Sequence, residues 1–198
     1  MFRILILFLL FFTLSNCSSP EGTWGWYVID PSTKAGWTNI KFLIGGFYST
    51  ILLSIIAAFL SIFIGLVVAL PAMSDNKLLK LFNRVYVEFI RSIPLLPMLF
   101  WVFYGLPVIL KSMGIDANID AFWGAIITLA ISDSAFTAEI YRAGIQSISK
   151  GQTEAAKTIG LNYYQTMRYV IMPQALRRIL PPLANQFIYI VKMSAFAS

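Results

Sequence analysis

Arg91, Asp133, Glu139, Asn185 and Lys192 stand in or beside stretches that are otherwise apolar. Ionisable groups buried in a membrane-spanning helix are costly, so they face a partner or a polar cavity and mark transport paths and interfaces. Asp133 lies well inside its stretch, flanked by Ser132 and Ser134. Glu139 and Arg142, three residues apart, share one helical face at ion-pair spacing. Arg91 sits at the rim of its stretch, where it either snorkels to the headgroups or takes part in a gate. This is chemistry of binding and passage, not of bond cleavage. Histidine is absent and Cys17 is the single cysteine. That excludes Ser-His-Asp and Cys-His catalysis, histidine zinc sites and an internal disulfide. No G-x-x-x-x-G-K-[ST] loop is present, so the chain is not itself a Walker-type ATPase. The expectation is a non-enzyme with no cofactor and no metal, its Met and aromatic residues serving packing.

The elements that must hold these groups are helices in a bilayer. The chain has 198 residues, 58% of them hydrophobic and 12% charged. Its mean hydropathy is +0.75, too apolar for an ordinary soluble domain, so lipid must cover much of the surface. Four apolar stretches, about 42–70, 89–110, 121–141 and 179–198, suffice to cross a core of ~30 Å at ~1.5 Å per residue. Pro94, Pro97 and Pro107 interrupt the second, and Pro181-Pro182 opens the fourth. The fold class expected is an all-α membrane protein, with 42–198 as its transmembrane domain.

Charge orients the spans. Lys77, Lys80 and Arg84 lie between the first and second, and Lys111 with Asp116 and Asp120 between the second and third. Residues 142–178 carry Arg142, Lys150, Lys157, Arg168, Arg177 and Arg178 against Glu154. By the positive-inside rule 71–88 and 142–178 are cytoplasmic and 111–120 is outside. The net charge of +6 is therefore loop charge and not a nucleic-acid footprint. Residues 1–17 read as a signal peptide or lipoprotein-like signal, with Arg3, an apolar run over 4–12 and Cys17 as a lipidation candidate. Asn16 departs from the small residue usual before a lipidated cysteine; simple cleavage nearby or an uncleaved anchor are the other readings. Residues 18–41, with Trp24, Trp26 and Trp37, read as an extracytoplasmic tail at the interface. The chain is thus expected in a bacterial inner membrane as a multi-pass protein.

The segment 150–182 predicts two short helices outside the bilayer. Glu154, Ala155, Ala156 and Lys157 favour helix, Gly160 suits a left-handed stop, and Asn162 with Gln165 suits an N-cap with its capping-box partner. Pro173 is expected to end the second helix. Small Ala155, Ala156 and Gly160 would let another protein approach this corner closely.

Glu154-Ala155-Ala156, then Gly160, then Ile171-Met172-Pro173 resembles the "EAA" loop of bacterial ABC importer permeases. Arg91-Ser92-Ile93-Pro94-Leu95-Leu96, Ala138-Glu139-Ile140-Tyr141-Arg142 and Pro173-Gln174-Ala175-Leu176-Arg177 resemble segments of the polar amino acid (histidine/glutamine-type) permeases. So does Leu180-Pro181-Pro182-Leu183-Ala184-Asn185. The resemblance spans roughly 42–198. It implies a type I ABC importer permease fold in which the EAA helix docks on a separate cytoplasmic ATPase. It also implies a second permease half, identical or different, and an extracytoplasmic solute-binding protein. Lys192-Met193-Ser194-Ala195-Phe196 departs from the family's K-[DN]-T-S-L, and relatives continue past the position of Ser198 with a further span, which is expected to be lacking here. A permease for another small solute, a truncated non-transporting membrane lipoprotein and an intramembrane enzyme are the competing readings.

Overall fold

The computed structural model describes residues 25–74, 76–116 and 119–197. The expected signal at 1–17, with Cys17, lies outside them. The chain divides into two units, residues 1–48 and 49–198.

In the first unit a 3-10 turn over Trp26–Ile29 precedes helix α1, Lys34–Ala72, which continues into the second unit. The entry to α1 is held by local polar chemistry. The Asp30 carboxylate accepts from the Ser32 amide at 2.9 Å and the Ser32 hydroxyl at 2.7 Å. Thr33 Oγ1 accepts from the Gly36 amide at 3.0 Å, as an N-cap does. Asn39 Nδ2 donates to the Val28 carbonyl, tying the 3-10 turn to the helix.

Every regular element among the described residues of the second unit is a helix. After α1 come α2 (Lys77–Ser92), α3 (Leu95–Ser112) and α4 (Ala121–Gln146). Then follow α5 (Lys150–Thr158) and the long α6, residues 163–193, which chains Tyr163–Thr166, a π turn at Met167–Ile171 and Met172–Met193. Among the described residues, α1, α3 and α4 are long and apolar enough to cross a membrane.

The expected second span over 89–110 is broken. Ile93 is extended, with φ −90° and ψ 120°, because the residue before a proline is pushed out of the helical region by the Pro94 ring. The apolar crossing therefore starts at Leu95, and 89–92 belongs to the amphipathic α2. The stretch expected over 179–198 also differs: its helix segment begins at Met172 and encloses Pro181 and Pro182. Those prolines withdraw amide donors from the Arg177 and Arg178 carbonyls, residues that are exposed near the segment's start. Arg177, Arg178 and Lys192 make this segment more polar than α1, α3 and α4. Pro173 likewise does not end a helix. It stands in the first turn after a π turn, where the Met172 amide bonds back to the Met167 carbonyl. Pro107 follows the Trp101–Gly105 π turn in the same way. In both places one extra residue per turn relieves the clash between the proline ring and the preceding carbonyl.

Helix α4 is the centre of the packing. Its Ala125, Ile126 and Leu129 meet Leu53, Ala57 and Ala58 of α1 and Ile190 of α6. Further along, Ala138 joins Val68 and Ala69 of α1 and Val87 of α2, while Ala135 joins Ile90 and Met98. Small residues set the spacing. A Cβ on Gly65 would lie 2.7 Å from Thr137 Cγ2, and one on Gly144 would overlap Ile179. Close approach through small residues is what drives helix association where lipid is as apolar as leucine. The opposite face of α1 in this unit presents Phe59, Phe63, Leu66 and Leu70 outward, the inverse of a soluble amphipathic helix.

Candidate coupling loop and buried polar cluster

The loop joining α4 to α6 is stiff because each turn of its backbone is hydrogen-bonded. Helix α5 ends in a Schellman arrangement: the Gly160 amide donates to Lys157 O and the Leu161 amide to Ala156 O, each at 3.0 Å. Gly160 carries φ +83°, a conformation that costs a residue with a Cβ about 1 kcal/mol or more. Two residues on, Asn162 caps α6. Its Oδ1 accepts from the Gln165 amide at 2.9 Å while Gln165 Oε1 accepts from the Asn162 amide at 3.0 Å, completing the capping box.

This corner is exposed at Glu154, Ala155 and Gly160, with Ile159, Tyr163 and Tyr164 projecting beside it. Ala156 is buried and fastens the helix inward. Ile171 is also buried, in a cluster with Ile148, Ala175 and Ile179, so it supports the corner from below. Pro173 is exposed. Gln174 Nε2 donates to Gln152 Oε1 at 3.2 Å, and an Arg178 guanidinium nitrogen donates to the Ser147 carbonyl at 2.5 Å. The first bond ties α5 to α6, and the second ties the C-terminal end of α4 to α6.

Asp133 sits in the middle of α4 and is 4% exposed. Ser61 Oγ of α1 donates to its Oδ2 at 2.5 Å, Thr137 Oγ1 donates to the same oxygen at 3.1 Å, and Gln186 Nε2 of α6 donates to Oδ1. One carboxylate thus collects donors from three helices, which satisfies it inside the bundle. On the neighbouring residue, Ser134 Oγ lies 2.7 Å from the Tyr86 hydroxyl, and nearer the end of α1 Asn83 Nδ2 donates to the Val68 carbonyl at 2.7 Å. A cavity of about 340 Å³ opens next to Asp133 and Gln186 between α1 and α6.

Glu139 and Arg142 form the ion pair their spacing predicts, and Arg142 also donates to Gln146 Oε1 at 2.9 Å. Arg91 stacks its guanidinium over Phe136, 4.9 Å from the ring centroid. Asn185 and Lys192 are exposed and stand apart from the Asp133 cluster. Sequence reasoning missed Gln186, Ser61 and Thr137. A polar residue in an apolar run was the available signal, and Gln186 carried it as clearly as its neighbour Asn185.

A bundle of apolar helices, a buried carboxylate shared by three of them and a rigid exposed corner define a helical membrane protein of the transport class. Residues 61–198 match the family of the binding-protein-dependent transport system inner membrane component, and the chain belongs to that family. It is 44% identical over 157 residues to the probable glutamine ABC transporter permease protein GlnM of Bacillus subtilis (strain 168), covering 79% of this chain and 70% of that one. It is 35% identical over 159 residues to the glutamine transport system permease protein GlnP of Escherichia coli (strain K12), covering 80% and 71%. Among solved structures, an amino acid ABC transporter crystallised with histidines superposes with a TM-score of 0.72 at 41% identity, covering 81% of this chain and 74% of that one. The MetNI methionine ABC transporter in an inward-facing conformation gives 0.62 at 25% identity, over 77% and 71%. The fold is that of a type I ABC importer permease.

Proposed function

We propose that this chain is a membrane-spanning half of an ATP-driven importer of polar amino acids. The observation that carries the substrate class is the 41% identity to the solved amino acid transporter over 81% of the chain. The glutamine permeases among its relatives support the same reading. ATP hydrolysis belongs to a separate cytoplasmic subunit that docks on the corner formed by Glu154, Ala155, Ala156 and Gly160. Ile171 and Pro173 position that corner from the base of α6. A second permease half completes the path, and an extracytoplasmic binding protein delivers the amino acid. Residues 71–88 and 142–178 face the cytoplasm, and residues 111–120 and the N-terminal tail face out, as the basic loops require. Asp133, with Arg91, Glu139, Asn185 and Lys192, borders the path or the subunit interface. Cys17 is the lipidation candidate of the leading segment.

The coupling logic is mechanical. A corner whose hydrogen bonds are closed moves as a body, and α6 carries that movement from Tyr163 to the level of Gln186. The test is co-purification of the ATPase subunit with the wild type, Gly160→Leu and Glu154→Lys. Gly160→Leu puts a side chain where the backbone is left-handed and where the ATPase must come close; Glu154→Lys reverses an exposed charge. Both variants are expected to insert normally and to lose most of the bound ATPase. Normal ATPase recovery with both would remove the corner from the interface.

A further inference from the structure

Where α1 and α4 end, at Ala72 and Gln146, a cavity of about 470 Å³ opens against α2. Its charged lining is Lys80, Arg84, Arg91 and Arg142 against Glu88 and Glu139. The acids do not balance the cations. Glu139 is taken up by Arg142, and Glu88 reaches Arg84 only at 3.9 Å between exposed side chains. Among the described residues, neither Lys80 nor Arg91 makes an ion pair. The Asn83 amide in the wall is spent on the Val68 carbonyl.

The surface of α2 says what comes to this cavity. At 100° per residue three sectors follow one another round the helix. Asn83, Val87 and Ile90 are buried against the bundle. Lys80, Arg84, Glu88 and Arg91 form the next edge. Leu78, Leu81, Phe82, Val85 and Phe89 form the third, and all five are exposed. The charged edge therefore runs between the protein and a bare apolar stripe, at the depth where two crossings end. A ligand that touches both must have an anionic head and long apolar tails. A water-soluble anion would leave the stripe uncovered.

We propose that this cavity binds the phosphodiester headgroup of an anionic phospholipid, its acyl chains lying along Leu81, Val85 and Phe89. Lys80, Arg84 and Arg91 supply the charge, with Arg142 at the back of the cavity, held in place by Glu139. A juxtamembrane cation contributes roughly a fivefold gain in anionic-lipid affinity, so three together make retention selective.

The test uses the full chain purified in a maltoside detergent and titrated with phosphatidylglycerol or phosphatidylcholine, with bound lipid counted by native mass spectrometry. Phosphatidylglycerol is expected to be retained and phosphatidylcholine lost. Lys80→Gln and Arg84→Gln, made singly, are each expected to weaken phosphatidylglycerol retention about fivefold. Glu88→Gln, which removes a negative charge beside the headgroup, should strengthen it, and Lys111→Gln, away from the cavity, should leave it unchanged. Circular dichroism on each variant checks folding, and Glu88→Gln gives a readout in the opposite direction should the cation variants fold poorly. Equal retention of both lipids, or retention indifferent to Lys80 and Arg84, overturns the proposal. So does displacement of phosphatidylglycerol by millimolar inorganic phosphate, which would mark a soluble-anion site. Loss of lipid only on adding a permease or ATPase subunit would assign the cavity to a protein interface instead.

Discussion

At Gly144 the backbone of α4 meets the Ile179 side chain so closely that a Cβ has no room. Gly144→Leu should lower stability by about 1–3 kcal/mol, the usual penalty of overpacking. Thermal unfolding in detergent reads this, and adding Ile179→Ala should recover part of the loss; an unchanged midpoint for Gly144→Leu would show that the helices part easily there. At Asp30 the two bonds from Ser32 hold the carboxyl below its ordinary value of 3.8, the Ser32 hydroxyl contributing most. A carboxyl lowered in this way contributes to the turn above its ordinary pKa, and the contribution is lost as pH falls through the lowered value. Hydrogen exchange at the Ser32 amide, corrected for its intrinsic pH dependence, should therefore lose protection on acidification below the usual carboxylate range. Protection that is flat with pH would contradict the turn.

Among the elements, the corner over residues 150–162 rests on caps more than on burial. Asn162→Ala removes one half of the capping box and should cost about 1 kcal/mol, read as faster hydrogen exchange at Tyr164 and Gln165. Exchange unaltered there would mean that the tertiary contacts of α6 hold its first turn alone. This corner was legible in the amino-acid sequence because its determinants are short-range: a glycine four residues after Ala156, and an amide paired with another three residues on. The prolines were harder to read. Pro94 breaks a helix, whereas Pro107, Pro173, Pro181 and Pro182 sit inside helices. The difference lies in whether a π turn absorbs the missing amide, as at Pro107 and Pro173, or the carbonyl left without a donor belongs to an exposed residue, as at Pro181 and Pro182, and neither is written in the local sequence. The 89–110 stretch looked continuous because hydropathy does not register the extended Ile93.

For the whole molecule, the arrangement of small, polar and lipid-facing side chains has one cause: helices associating in an apolar solvent. Packing there needs close contact, and polar groups need partners, so α4 is lined with Gly, Ala, Ser and Thr and carries Asp133 at its middle. Hydropathy and charge asymmetry made the membrane class plain, and the ordered motifs made the family plain. The composition of the Asp133 cluster was not readable, since Ser61, Thr137 and Gln186 meet only once α1, α4 and α6 are packed. Asn185, one residue from Gln186, is turned about 100° away on the same helix. As proposed above, this chain forms an amino acid path driven from a cytoplasmic ATPase through the 150–162 corner. The direct measurement is uptake of labelled glutamine by vesicles holding the chain with its partner permease, ATPase and binding protein. Accumulation is expected to require both ATP on the loop side and binding protein on the other, and to fall at least tenfold in Gly160→Leu, ~1.4 kcal/mol of lost coupling. Accumulation independent of ATP, or unchanged by Gly160→Leu, would contradict it.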